Sequence, residues 1–292
     1  MTSLDCKNEE KMVEELLSTL PKERHWDGIN NIVLYQGFWR PTIALKPIFS
    51  FQNRYEAWND DIIVASLPKA GTTWTRALLY SILNRGRYPD LKKSPLQYTT
   101  PMELLPVVDF NFNGRNKYYM DLESIPKPRV LPLHFSYASL PDSIKSKGCK
   151  MVYVWRNPMD YFISLWHFLQ VMKFPREDGR QPELLPMEKC FDQFCEGICD
   201  FGPYWDHVLG YWRASQEAPD KILFLKFDDI KGDVAGSVKK LANFLGCPFS
   251  AQEEEQGTVE HIVNFCSFEN LRNLEVNKTG TVFPGVPTTA FF

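Results

Sequence analysis

The chain has 292 residues, 44% of them hydrophobic, and a formal net charge of -3. That length can bury a substantial core, while the slightly acidic balance excludes the broad basic surface of a non-specific nucleic-acid binder. The N-terminal stretch MTSLDCKNEEKMVEELL has neither a positive n-region nor an apolar h-region, and no uncharged apolar run reaches membrane-spanning length. The expectation is a soluble cytoplasmic protein without nucleic-acid or membrane partners.

In chain order, Glu9 to Leu20 reads as an amphipathic helix. Apolar, β-branched runs follow at Asp61 to Ser66 (DIIVAS), Lys150 to Trp155 (KMVYVW) and Lys221 to Phe227 (KILFLKF), each short enough for a strand covered on both faces. Each leads into a helical pattern: Thr72 to Arg85, Met159 to Leu169, and Val234 to Leu245, the last closed by Gly246 with Pro248 beyond. Ser250 with Glu253 forms a capping box that predicts a helix running toward Phe265. Strand followed by helix, repeated without internal duplication or a long linker, predicts an α/β fold: a single domain over 1-292 with a central parallel sheet flanked by helices. Seven cysteines without paired spacing read as free thiols in a reducing compartment. The group Cys190, Cys195 and Cys199 followed by His207 lacks the CxxC pairs of a structural zinc site, and no metal is expected.

In such sheets ligands gather at the carboxyl ends of strands. The first of these ends is Ser66-Leu-Pro-Lys-Ala-Gly-Thr-Thr-Trp74, where Gly71, Thr72 and Thr73 open a helix and present free N–H groups to an anion, with Lys69 adding a full charge. The lysine precedes the only glycine, so this is not the Walker A order. At the second end, Arg156 precedes Asn157 and Pro158 at a helix start, and its planar fork suits phosphate oxygens, with Ser164 further along the same helix. Five histidines are available as bases. His134 leads because it closes the apolar run RVLPLH at the same expected edge, whereas His25, His207 and His261 fall on a loop or helix faces. His167, between Trp166 and Phe168, reads as packed. Phe110, Phe112, Tyr137 and Trp166 are candidate walls of an apolar acceptor pocket.

PKAGTTW resembles the PKSGTTW signature of cytosolic sulfotransferases, with Ala70 in place of serine. RNPMDYFISLWHF is similar to the family's RNPKDxxVSxxHF, HFSYASLPDSIKS to its histidine segment, and GPYWDHVLGYW and CSFENLRNLEVNK extend the likeness toward the plant branch. The resemblance implies a P-loop-like loop, Lys69 to Thr73, holding the 5'-phosphosulfate of PAPS, with Trp74 on the adenine. It also implies Arg156 and Ser164 on the 3'-phosphate, Lys69 and His134 as catalytic groups, and Cys266, Ser267, Phe268 and Leu271 lining the nucleotide. PAP would be the product, and a small hydroxylated organic acceptor such as a flavonoid or steroid the partner, in a monomer or weak homodimer. Phe227 stands where the family has a tyrosine, Leu133 where it usually has threonine, and the RKGxxGDW that follows TTAFF in the family is absent before Phe292. Loss of that phosphate-pairing arginine is expected to weaken donor binding by about 2–5 kcal/mol. Either the sequence is a fragment, or Ala70, Phe227 and the missing loop leave a catalytically impaired PAP-binding protein as the alternative.

Overall fold

The computed structural model describes residues 3–28, 30–111, 125–172, 185–283 and 286–292. Helix α1 (Ser3–Thr19) precedes an antiparallel meander of β1 (Lys22–Arg24), β2 (Asn31–Tyr35) and β3 (Phe38–Pro41). Gln36 and Gly37 reverse the chain between β2 and β3 with both φ angles positive, 52° and 78°, the hairpin geometry whose twist matches adjoining strands. Helix α2 (Thr42–Arg54) follows and packs its Leu45 against Val13 of α1 and Val33 of β2.

The central sheet is parallel, with strand order β5 (Val130–Leu133), β4 (Ile62–Ser66), β6 (Lys150–Trp155), β7 (Ile222–Lys226). All five residues of β4 are buried, as a central strand covered on both faces requires. Their two-residue alternation divides the core. Ile63 and Ala65 join Met151 and Tyr153 of β6 in one layer, with Ile48, Phe51, Phe162 and Tyr211; Ile62 and Val64 join Val152 and Val154 in the other, with Leu78, Leu241 and Ile262. Each such aliphatic side chain contributes about 1.5–3 kcal/mol by leaving water. At the amino edge Arg129 grips Asp61 with two bonds, Nε to Oδ1 at 2.7 Å and Nη2 to Oδ2 at 2.6 Å, so the pair closing β4 and β5 is buried but matched.

Around the sheet, β4 leads into α3 (Thr72–Asn84) and two short turns of helix, α4 (Pro101–Leu104) and α5 (Val108–Asn111); α6 (Asp142–Ser146) precedes β6. After β6 come α7 (Pro158–Val171), α8 (Met187–Cys195) and α9 (Tyr204–Glu217); after β7 come α10 (Phe227–Gly232) and α11 (Val234–Phe244). The helix expected from Ser250 to Phe265 is two helices, α12 (Ala251–Glu255) and α13 (Thr258–Phe265), because Gly257 adopts φ 69° and breaks the run. The Ser250–Glu253 capping box is present at the start of α12. Helices α14 (Phe268–Asn273) and α15 (Glu275–Lys278), a β8–β9 hairpin (Thr281–Phe283, Val286–Pro287) and a final 3-10 turn, Thr288–Phe291, complete the described chain. No helix among the described residues is long and apolar enough to cross a membrane.

Candidate active site

The strand register sets the site. Ala65 pairs with Leu133, Ser66 with Val154, and Trp155 with Lys226, so the carboxyl ends of the four strands lie side by side. One residue beyond those ends come His134, Leu67, Arg156 and Phe227. Three elements separated along the chain thus deliver an imidazole, a loop lysine and a guanidinium to one edge.

After β4 the loop turns sharply. Lys69 has φ 64° and Gly71 has φ 105°, the latter as N-cap of α3. Ser66 Oγ and Thr72 Oγ1 bridge the loop at 2.6 Å, while Thr72 is buried and Thr73 half-buried. A Cβ on Gly71 would stand 2.5 Å from Cδ2 of Phe227, so only glycine lets this loop pass under the ring. Ala70 is buried and its N–H bonds Leu67 O at 3.1 Å. Lys69 Nζ reaches the carbonyl of Ala290, 2.8 Å away in the final 3-10 turn, and lies over the rings of Phe168 (4.6 Å) and Phe291 (5.9 Å). Burial, aided by the positive charge of Arg156, lowers its ammonium to about 8.

Asn157 caps α7 by accepting the N–H of Met159 at 2.9 Å, with Pro158 in the first turn, as the sequence predicts. That cap aims Arg156 back at the loop. One Nη donates to Lys69 O at 3.3 Å, the guanidinium lies 5.2 Å from the Phe227 ring centre, and Nε is buried with no hydrogen-bond partner among the described residues. Ser164 is half-buried two turns along α7. Trp74 donates its indole N–H to Cys266 O at 2.8 Å and meets Phe227 edge-on at 5.7 Å. Cys266 is buried against Ser81, Ser267 caps α14, Phe268 is exposed, and Leu271 lies in the core beneath them. His167 is exposed on α7 with its ring against Trp166, a correction to its expected packing. Tyr137, Phe110 and Trp166 are half-buried, and Phe112 lies outside the described residues.

His134 is held on three sides. Its Nδ1 bonds the backbone carbonyl of Ser66 at 2.6 Å; a carbonyl only accepts, so Nδ1 carries the proton and Nε2 keeps its lone pair. Its backbone N–H donates to Asp109 Oδ2 at 2.7 Å, and its carbonyl accepts from His207 Nε2 at 3.1 Å. His207 in turn accepts the hydroxyl of Tyr153 at Nδ1, 2.9 Å. Burial drives His134 down to about 3, with the charges of Arg76 and Arg40 adding to the effect, so the ring is neutral at physiological pH. Sequence reasoning placed His207 on a helix face and missed its bond to the His134 carbonyl; Asp109, Arg40 and Arg76 were missed altogether. Nothing in their local patterns marks them, since the contacts join residues far apart in the chain. His25, read as a loop residue, is buried and bonded to Asp200 at 2.8 Å.

A parallel sheet whose carboxyl edge carries a glycine-turned loop, a lysine and a neutral histidine presents the groups that a transfer reaction uses. Residues 59–290 match the sulfotransferase domain family, and the chain belongs to that family. It is 42% identical over 279 residues to cytosolic sulfotransferase 12 of Arabidopsis thaliana, covering 95% of this chain and 82% of that protein. To flavonol 3-sulfotransferase of Flaveria bidentis it is 40% identical over 276 residues, covering 92% and 83%. The crystal structure of an Arabidopsis thaliana sulphotransferase superposes with a TM-score of 0.74 at 40% identity, covering 89% of this chain and 85% of that one. The fold is shared with mouse sulfotransferase SULT7A1 complexed with PAP, TM-score 0.61 at 24% identity, covering 83% and 76%.

Proposed function

We propose that this chain, as a single catalytic domain, moves a sulfuryl group from PAPS to a hydroxyl of a small organic acceptor in the cytoplasm. The observation that carries this reading is a pair of half-buried cations, Lys69 and Arg156, whose only hydrogen bonds among the described residues go to carbonyl oxygens, beside a histidine locked in its basic tautomer. The residues fit an anionic nucleotide on three counts: Gly71 makes room that a Cβ would fill, Arg156 Nε is orphaned, and the α3 N-terminus leaves its N–H groups free. Lys69, Gly71, Thr72 and Thr73 would hold the phosphosulfate, Arg156 and Ser164 the 3'-phosphate, and Trp74 with Phe227 the adenine. When bound, PAPS supplies an activated sulfuryl group on a good leaving group.

The chain's own residues do the rest. His134 Nε2 takes the proton from the acceptor hydroxyl, a contribution of roughly 10²–10⁴-fold for such base catalysis. Lys69 stabilises negative charge growing on the leaving oxygen, and the buried setting strengthens that attraction relative to water. Half-buried Phe110, Tyr137 and Trp166 would exclude water from an apolar acceptor. The test is titration of PAP by calorimetry alongside Arg156→Ala, with sulfuryl transfer to a plain phenol measured for the parent and His134→Ala. Micromolar PAP binding lost in the arginine variant, and turnover lost in the histidine variant with PAP affinity retained, is the expected result. A His134→Ala protein with full turnover would remove the histidine from this scheme.

A further inference from the structure

Beside the base lies a charge imbalance that sulfuryl transfer alone does not require. Arg40 of β3 is fully buried and Arg76 of α3 is 3% exposed. Arg40 donates one bond, Nη2 to Ser139 Oγ at 3.0 Å, while its Nε and Nη1, and the Nε of Arg76, are buried with no hydrogen-bond partner among the described residues. Among the described residues no carboxylate lies at ion-pair distance from either guanidinium. Among the described residues the carboxylate that acts on both is Asp109, whose Oδ2 is committed to the His134 N–H and whose Oδ1 has no hydrogen-bond partner there, so it balances at most one cation through space. Burying charge is costly unless something pairs with it, and orphaned donors in a buried position mark a missing acceptor.

These guanidiniums border the base. The ring of Phe201 lies 5.2 Å from the His134 ring and 5.4 Å from the Arg40 guanidinium, so both flank the same aromatic plate. Phe201 holds that position with φ 61°, a left-handed backbone that a bulky aromatic adopts only when its surroundings impose it. Arg76 stands one helical turn beyond Thr72, whose hydroxyl is tied to Ser66, the residue whose carbonyl fixes His134. The charges of both arginines reach the imidazole.

Resting on the function proposed above, we infer that the acceptor carries a carboxylate, and that Arg40 and Arg76 seat it while His134 addresses the hydroxyl at the other end of the same molecule. A planar carboxylate matches the guanidinium fork and supplies the oxygens their orphaned N–H groups lack. A neutral phenol or sterol leaves the surplus charge unpaired, and a site built for a polar partner discriminates strongly against an analogue without it. The subsite thus makes the enzyme selective for hydroxy acids.

The experiment compares hydroxyphenylpropanoate and an ω-hydroxy fatty acid with their methyl esters, which keep the hydroxyl and the shape and lose the charge. Each is titrated by calorimetry onto the PAP-loaded protein and assayed for turnover with PAPS. The acids are expected to bind and react roughly 10- to 100-fold better than the esters, as a charge-assisted pair allows. Arg76→Gln and Arg40→Gln should collapse that ratio toward one without weakening PAP. Equal use of acid and ester by the parent, or variants that keep the ratio, overturns the inference. The acid-to-ester comparison needs no variant to fold, and its binding arm stands even without turnover. Failure of the underlying reading is distinct: the chain would then neither bind PAP nor sulfate the plain phenol.

Discussion

Replacing Gly71 with alanine separates two physical costs at the loop between β4 and α3. The first is backbone strain: φ of 105° is open to glycine and costs an L-residue about 1–3 kcal/mol. The second is steric, because the new methyl would sit 2.5 Å from Phe227 Cδ2 and 2.9 Å from Cε2, and displacing a packed ring costs about 1–3 kcal/mol. Together they predict a loss of about 2–6 kcal/mol, a fall in melting temperature on the order of 10 °C. PAP affinity should fall as well, since Phe227 also packs on Trp74 and Arg156. Thermal denaturation of Gly71→Ala, Phe227→Ala and the double variant forms a cycle in which the steric part vanishes and the backbone part persists. The double variant should therefore lose about 1–3 kcal/mol less than the sum of the single losses. Full additivity, or a Gly71→Ala protein as stable as its parent, would refute the reasoning.

Other outcomes follow from the neighbouring groups. Lys69, lowered to about 8, is largely neutral at pH 8.5, and an anionic nucleotide draws it back to the charged form, so binding consumes protons and weakens as pH rises from 7 to 9. Calorimetry of PAP at pH 8.5 in buffers of different ionisation heat should show uptake of roughly three quarters of a proton; heats independent of buffer would contradict this. His207 donates to the His134 carbonyl, so His207→Leu is expected to lower kcat about tenfold or more with KM for PAPS unchanged, and His207→Gln, which keeps a donor, to recover much of it. Equal losses in both variants would assign His207 to stability alone.

The parallel sheet was legible because β4 and β6 are buried on both faces, which forces nearly continuous apolar runs such as DIIVAS and KMVYVW, and the half-buried edge strand β7 keeps the apolar KILFLKF. The helix starts were legible through local chemistry, Pro158 behind Asn157 and Ser250 with Glu253. The meander escaped because its strands are three to five residues long, although the Gln36-Gly37 reversal carries a turn signal in its glycine. One helix was expected where Gly257 makes two, since a glycine within a periodic pattern does not announce whether it will take positive φ. In the site, the lysine, the arginine and the histidine each follow an apolar run and could be found one at a time. The cluster of Arg40, Arg76, Asp109 and His207 could not, because its members meet only when β3, α3, α5 and α9 converge, and short-range patterns carry no trace of that convergence.

The alignment of strand ends has a consequence for how such a chain tolerates insertions and deletions. His134 and Arg156 each sit one residue past a strand, so removing a single residue from β5 or β6 would draw the functional group back by roughly 3.3 Å and turn alternate side chains to the opposite face. Length is therefore constrained inside the strands and free in the connections that enter them from the amino edge, where Asp61 and Arg129 clamp the sheet far from the chemistry. New lobes or longer entry loops can be grafted at that end while the spacing of histidine, lysine and arginine stays unchanged.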